Sequence, residues 1–162
     1  MTSYQVAVAA EAFAACVLAQ AECDVSIQYG ANQPGHDLVA TKGNRAIKVS
    51  VKGSQDGGWG LVQSHKEGRN YHECAEHWLT LQQSETVFCL VQFQGVKTGE
   101  CPRAYFVRPS EIVQQLKVSR SAHGSTILYE RYSYKKGLGA GTEDKLPDSW
   151  RATSNRIQDF FS

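Results

Sequence analysis

The chain carries no CxxC pair, and its five cysteines, Cys16, Cys23, Cys74, Cys89 and Cys101, are odd in number. That argues against both a disulfide framework and a Cys-rich zinc site, and predicts reduced, mostly packed thiols. Charge of either sign is not in excess: 17 Lys and Arg face 16 Asp and Glu, for a formal +1. Overall balance therefore neither demands nor excludes a nucleic-acid partner, and only local clustering can argue for one. A long hydrophobic run is also missing. The apolar stretch VAVAAEAFAACVLA at 6–19 looks like a secretory core, yet no basic segment precedes it and Glu11 interrupts it, well short of a membrane span. No membrane association is expected, and a cytoplasmic location is the simplest reading. Internal repeats are absent. The 162 residues suit one domain over 1–162, able to bury roughly two-thirds of its unfolded surface. Residues from about 121 onward read as a less regular extension.

Residues 4–21 are alanine-rich, with Phe13, Cys16, Val17 and Gln20 at roughly helical spacing, and predict a first helix. A short strand is expected over 25–29, a loop at ANQPG (31–35), and a second strand over 37–41. KGN at 42–44 forms the turn into a third strand over 45–52. Alternation there sets Ile47, Val49 and Val51 on one face and Lys48, Ser50 and Lys52 on the other. The Gly-, Gln- and Ser-rich segment 53–70, with Trp59, is long for a plain connector and predicts a functional loop. A helix over 71–83 should turn Trp78 and either Leu79 or Leu81 inward. TVFCLVQFQ (86–94) reads as a buried central strand, and RAYFVRP (103–109) as a weaker copy. PSEIVQQLK (109–117) predicts a helix opened by Pro109 or capped by Ser110, with Ile112, Val113 and Leu116 inward. STILYERYSY (125–134) suits a strand and KKGLGAGTEDK (135–145) a flexible loop. SNRIQDFF (154–161) suits a final amphipathic helix burying Ile157, Phe160 and Phe161.

Helix, three-stranded meander, helix, strand, strand, helix is a mixed α/β layer architecture. Within it, the stretch GHDLVATKGNRAIKVSVKGSQ (35–55) opens one strand with Asp37 and closes the next with Ser50, Val51 and Lys52. This pattern resembles the PD-(D/E)XK nuclease superfamily, in which an Asp begins the second strand and an acid-x-Lys triplet lies on the third. EHWLTLQ, FCLVQF and YFVRPSEIVQQL continue the likeness, which covers roughly residues 4–117. Ser50 departs from the pattern, because it stands where the second acid is expected. The resemblance implies a restriction-endonuclease-like mixed sheet flanked by helices and a Mg²⁺- or Mn²⁺-dependent endonuclease acting on DNA. It also implies a homodimer where both strands are cut, and gives Glu11 the place of the first-helix carboxylate found in resolvase-like members.

A hard cation takes oxygen ligands and keeps several waters, so Asp37, Glu11 and the Val51 carbonyl are the candidate metal set. Lys52 would orient the nucleophile or stabilise developing charge, with Ser50 a weak or indirect ligand. The set is one charge short. Glu22, Asp24 or Asp56 could supply the missing acid; otherwise cleavage is lost, no metal is needed, and a module binding nucleic acid or a protein partner remains.

Other features read more plainly. His72 and His77 in HECAEH are five residues apart, about 140° around a helix, rather than the four of a zinc-protease HExxH motif. GLGAG (137–141) lacks the Lys-Ser/Thr of a phosphate loop. His65, Lys66 and Arg69 could contact phosphate or simply be solvated. YERYSYKK interleaves tyrosines with Arg131, Lys135 and Lys136, which fits either a nucleic-acid groove or an amphipathic edge strand. His36, beside Asp37, is equally open.

Overall fold

A computed structural model describes residues 1–27 and 35–162. In chain order the helices and strands are α1 (Ser3–Gln20), β1 (Asp24–Ile27), β2 (Leu38–Lys42), β3 (Arg45–Ser54), β4 (Gly58–Trp59), α2 (Tyr71–Thr80), β5 (Thr86–Gln92), β6 (Arg103–Val107), α3 (Pro109–Val118), β7 (Leu128–Tyr129), β8 (Arg131–Ser133), β9 (Glu143–Lys145) and α4 (Ser154–Gln158). Short 3-10 turns cover Gln63–His65 and Asp148–Trp150. The expected strand residues 28–29 and loop residues 31–34 lie outside the described part.

The described chain groups into two units: Met1–Asp56, Gln83–Arg108 and Asp148–Ser162 form the first, Gly57–Gln82 and Pro109–Pro147 the second. The first is a mixed α/β unit whose five-stranded sheet runs in the order β1-β2-β3-β5-β6. β1, β2 and β3 form an antiparallel meander, β5 joins β3 in parallel, and β6 returns antiparallel to β5. Leu38 faces Val49, and Ala40 faces Ile47. As alternation predicts, Ile47, Val49 and Val51 enter the core, where they join Ala10, Ala14 and Leu18 of α1 and Ile157, Phe160 and Phe161 from α4 and the residues after it. β5 is buried from end to end, as its continuous apolar run requires.

α1 begins with a capping box: Thr2 accepts from the Gln5 N–H and the Gln5 side chain accepts from the Thr2 N–H. Its buried stripe is Val6, Ala10, Ala14 and Leu18, beside the residues Phe13, Cys16, Val17 and Gln20 whose spacing predicts the helix. Phe13 and Val17 sit on its flank, while Cys16 and Gln20 are exposed. Alanine lets the helix approach the sheet closely, so small residues occupy the contact line. By length and composition this helix could cross a membrane. Cys23, Cys74 and Cys89 are buried and all five thiols are unpaired. Burial pushes the Cys89 thiol well up.

In the second unit α2 packs on α3, and Lys117 pairs with Glu76 across them. α2 is capped by Asn70 and Glu73 and stops at Thr80, leaving Leu81 exposed while Trp78 is buried. α3 buries Ile112, Val113 and Leu116 as its pattern demands. The region expected to be one strand is two: β7 pairs with β4, and β8 pairs with β9. Residues 135–145 are therefore not simply a flexible loop. Their last three form β9, in register with β8. The long segment 53–70 is likewise structured, since it holds the end of β3, β4 and a 3-10 turn.

Candidate functional site

Asp37 precedes β2 by one residue and ties it to β3 twice. Its N–H donates to the Val49 carbonyl at 2.9 Å, and its Oδ2 accepts from the Val51 N–H at 2.6 Å. Its neighbour His36 has a buried Nδ1 with no hydrogen-bond partner among the described residues.

Glu11 is half-buried on α1, one position past Ala10 of the contact stripe. Its carboxyl is raised above the ordinary range, first by burial and then by the negative charge of Asp37, while Lys52 pulls it back down. Glu11 therefore feels the charges of both Asp37 and Lys52, although they are 26 and 41 residues from it in the chain. Lys52 is exposed near the end of β3. Glu11 thus lies within electrostatic reach of the carboxylate and the ammonium named with it from sequence.

Gly53 makes that meeting possible and was not singled out from sequence. A Cβ there would lie 2.7 Å from Val6 Cγ1 and 3.0 Å from both Ala10 Cβ and the Val6 carbonyl oxygen. Only a residue without a side chain lets the Val6–Ala10 turn of α1 come down on β3 directly after Lys52. The sequence pattern ends the strand at Lys52, whereas β3 runs on through Gly53 to Ser54.

Ser50 is 5% exposed and alternates with Val49 and Val51, so its hydroxyl lies on the strand face turned from α1. Val51 has a buried side chain, and its N–H is engaged by Asp37. Of the acids considered as substitutes, Glu22 lies 3.8 Å from the Lys42 ammonium, Asp24 opens β1 opposite Thr41, and Asp56 accepts from the Ser54 hydroxyl at 2.9 Å. Among the described residues no group of three or more Asp, Glu, His or Cys side chains is placed to hold a metal ion. The carboxylate set is Glu11 and Asp37. The negative charge of Asp37 raises the proton affinity of Glu11, and a divalent cation would neutralise such a pair, so these donors fit a hard cation with mostly water in its remaining positions.

The other sequence candidates lie in the second unit. His65 meets the ring of His77 edge-on at 5.7 Å. Lys66 lies over the Tyr71 ring. Arg69 donates to the carbonyls of His65 and Glu67 and so braces its own loop. Lys135 and Lys136 are exposed after β8. His72 reaches the Ala122 carbonyl at 3.0 Å, so the two histidines of HECAEH serve different neighbours.

No known protein family, curated protein or solved structure matches this chain.

Proposed function

We propose that the chain is a metal-dependent nuclease of the PD-(D/E)XK type that hydrolyses phosphodiester bonds in DNA. The observation carrying this reading is the electrostatic coupling of Glu11, Asp37 and Lys52, joined by a helix, an antiparallel meander and a parallel fourth strand in the order that such a site requires. Glu11 and Asp37 would hold Mg²⁺ or Mn²⁺, with the Val51 carbonyl the remaining protein candidate. A bound divalent cation supplies Lewis-acid withdrawal of charge from the phosphoryl oxygens.

The chain's own residues supply the rest. The Val51 N–H holds the Asp37 carboxylate in one orientation. Lys52, exposed near the end of β3 and within electrostatic reach of Glu11, would place a positive charge where the pentavalent phosphorane accumulates negative charge and orient the attacking water. DNA as substrate, pairing of two copies for double-strand cleavage and a cytoplasmic location complete the proposal; five unpaired thiols suit a reducing compartment.

A second reading is favoured by Ser50. The position is buried and neutral, so the same fold could bind nucleic acid or a protein partner without cutting. Calorimetric titration of Mg²⁺ and Mn²⁺ into wild type and Asp37→Asn separates the two. Binding lost in the variant, with metal-dependent nicking of DNA by wild type alone, supports the nuclease. A folded wild type that binds neither cation sinks it and leaves the binding module.

A further inference from the structure

The second unit contains a pair of cations that converge on one phenol. Lys66 follows the 3-10 turn, Tyr71 opens α2, and Arg120 follows α3 by two residues. The Lys66 ammonium and the Arg120 Nη1 each lie 3.5 Å from the Tyr71 hydroxyl oxygen. The same two charges sit 4.7 and 5.3 Å from the centre of its ring. Hydrogen bonds from full cations normally close to about 2.7–2.9 Å, so the phenol holds both groups loosely.

Neither cation is neutralised. Asp144, an acid tied to this group, is occupied elsewhere: one oxygen accepts from the Arg120 backbone N–H at 3.2 Å, the other from the Tyr134 hydroxyl at 2.8 Å. Among the described residues no carboxylate forms an ion pair with Lys66 or Arg120. The Arg120 Nε is buried without a hydrogen-bond partner. Two positive charges 3.5 Å from one oxygen, with no counter-charge, form a site in deficit of an anion.

The backbone behind Arg120 is held in a costly shape. Arg120, Ser121 and Ala122 have φ of 54°, 57° and 68° in succession, a left-handed run disfavoured by roughly 1–2 kcal/mol per residue. Gly139 accommodates it, since a Cβ there would lie 2.7 Å from the Arg120 Cα. Strain of this kind persists where the surroundings over-determine it, commonly at binding sites.

Aromatic surface continues from the cations. Tyr134 lies under Arg120 at 5.4 Å and meets Tyr132 at 4.8 Å, and Tyr132 stacks on Tyr129 at 4.3 Å. Tyr132 is 43% exposed, and the exposed Arg131, Lys135 and Lys136 share this segment. Phosphate-sized anion sites next to open aromatic faces are the composition that binds a nucleic-acid strand.

We propose that Lys66, Tyr71 and Arg120 form a phosphate site that takes a backbone phosphodiester of a nucleic-acid strand, with Tyr132 offering a stacking face to a base. The choice of nucleic acid over free phosphate rests on the nuclease reading; the anion site does not. The two cations also lower the proton affinity of the Tyr71 phenol, the direction a surplus of positive charge imposes.

The test is fluorescence anisotropy of a labelled single-stranded oligonucleotide across a salt series, in EDTA so that metal binding plays no part. Wild type, Lys66→Ala and Tyr71→Phe are compared, with circular dichroism to verify folding and ³¹P NMR of inorganic phosphate as a second probe. Lys66→Ala should weaken binding several-fold and reduce the log–log salt slope by about one. Tyr71→Phe should weaken binding and keep the slope. Wild-type affinity and slope in both Lys66→Ala and Tyr71→Phe would overturn the site, as would a wild type that binds neither probe. Phosphate binding lost in Lys66→Ala, with oligonucleotide binding unchanged, would overturn the nucleic-acid assignment. Loss of metal-dependent cleavage alone bears on the first unit and leaves these binding results standing.

Discussion

Replacing Asp37 with alanine removes the oxygen that the Val51 N–H reaches at 2.6 Å, whereas asparagine keeps an oxygen in place and removes only the charge. A hydrogen bond to a charged acceptor contributes about 1.5–3 kcal/mol. Asp37 is only half-buried, so water recovers part of that in the alanine variant, and the expected loss is about 1–2 kcal/mol. For a chain of this size each kcal/mol lowers the melting temperature by about 2–4 °C, giving a drop of about 2–8 °C for Asp37→Ala. Asp37→Asn should lose less than about 1 kcal/mol, a neutral bond replacing a charged one. Thermal denaturation measures both, and hydrogen exchange at the Val51 amide localises the effect: faster in the alanine variant, close to wild type in asparagine. Both should lose divalent-cation binding equally, because cation ligation needs the charge. An alanine variant that melts like wild type with unchanged Val51 exchange would refute the strap between β2 and β3. An asparagine variant that still binds Mg²⁺ would refute the ligand role.

Glu11 has a folded-state pKa raised above its unfolded value, so its cost to stability is absent below the unfolded pKa and grows as pH rises through the folded one. Glu11→Gln should therefore melt with wild type at pH 4 and above it at pH 8 in EDTA; equal melting at both would contradict the burial and the Asp37 repulsion. Carboxyl-detected NMR should show the Glu11 pKa falling in Asp37→Asn and rising in Lys52→Met. Gly53→Ala must push α1 off β3 and should cost about 1–3 kcal/mol by urea denaturation, in the range of overpacked cores. Ser50→Glu buries a carboxylate and should be less stable than wild type in EDTA, regaining stability on adding Mn²⁺ if Asp37 and Glu11 share the new ligand's cation. A variant whose melting ignores Mn²⁺ would place Ser50 outside the site.

The meander, the buried strand β5 and the faces of α3 and α4 were legible because each carries a period that the chain alone expresses. Ile47, Val49 and Val51 need no partner to announce a face. α1 was legible as a helix but not in its contact line, because alanine is small and apolar on every side, and only the approach of Gly53 decides which alanines are buried. β4, β7, β8 and β9 have two or three residues each, too few to show alternation. They exist through pairing with segments up to 71 positions away, as Gly58 with Tyr129. At the site, Asp37 and Lys52 stood out through their spacing and Glu11 through resemblance. The Tyr71 and Arg120 pair did not, since 49 residues separate them and no local motif links them.

The interleaving of the two units governs how the chain can be born. The sheet's apolar face is covered partly by Ile157, Phe160 and Phe161, which follow the whole of the second unit in the chain. A ribosome moving from residue 1 therefore releases the meander, β5 and β6 long before the residues that close over them. Nascent chains would hold an uncovered hydrophobic surface during that interval, the condition under which growing polypeptides recruit chaperones or associate with one another. Translation of residues 109–147 thus sets how long that surface waits for its cover.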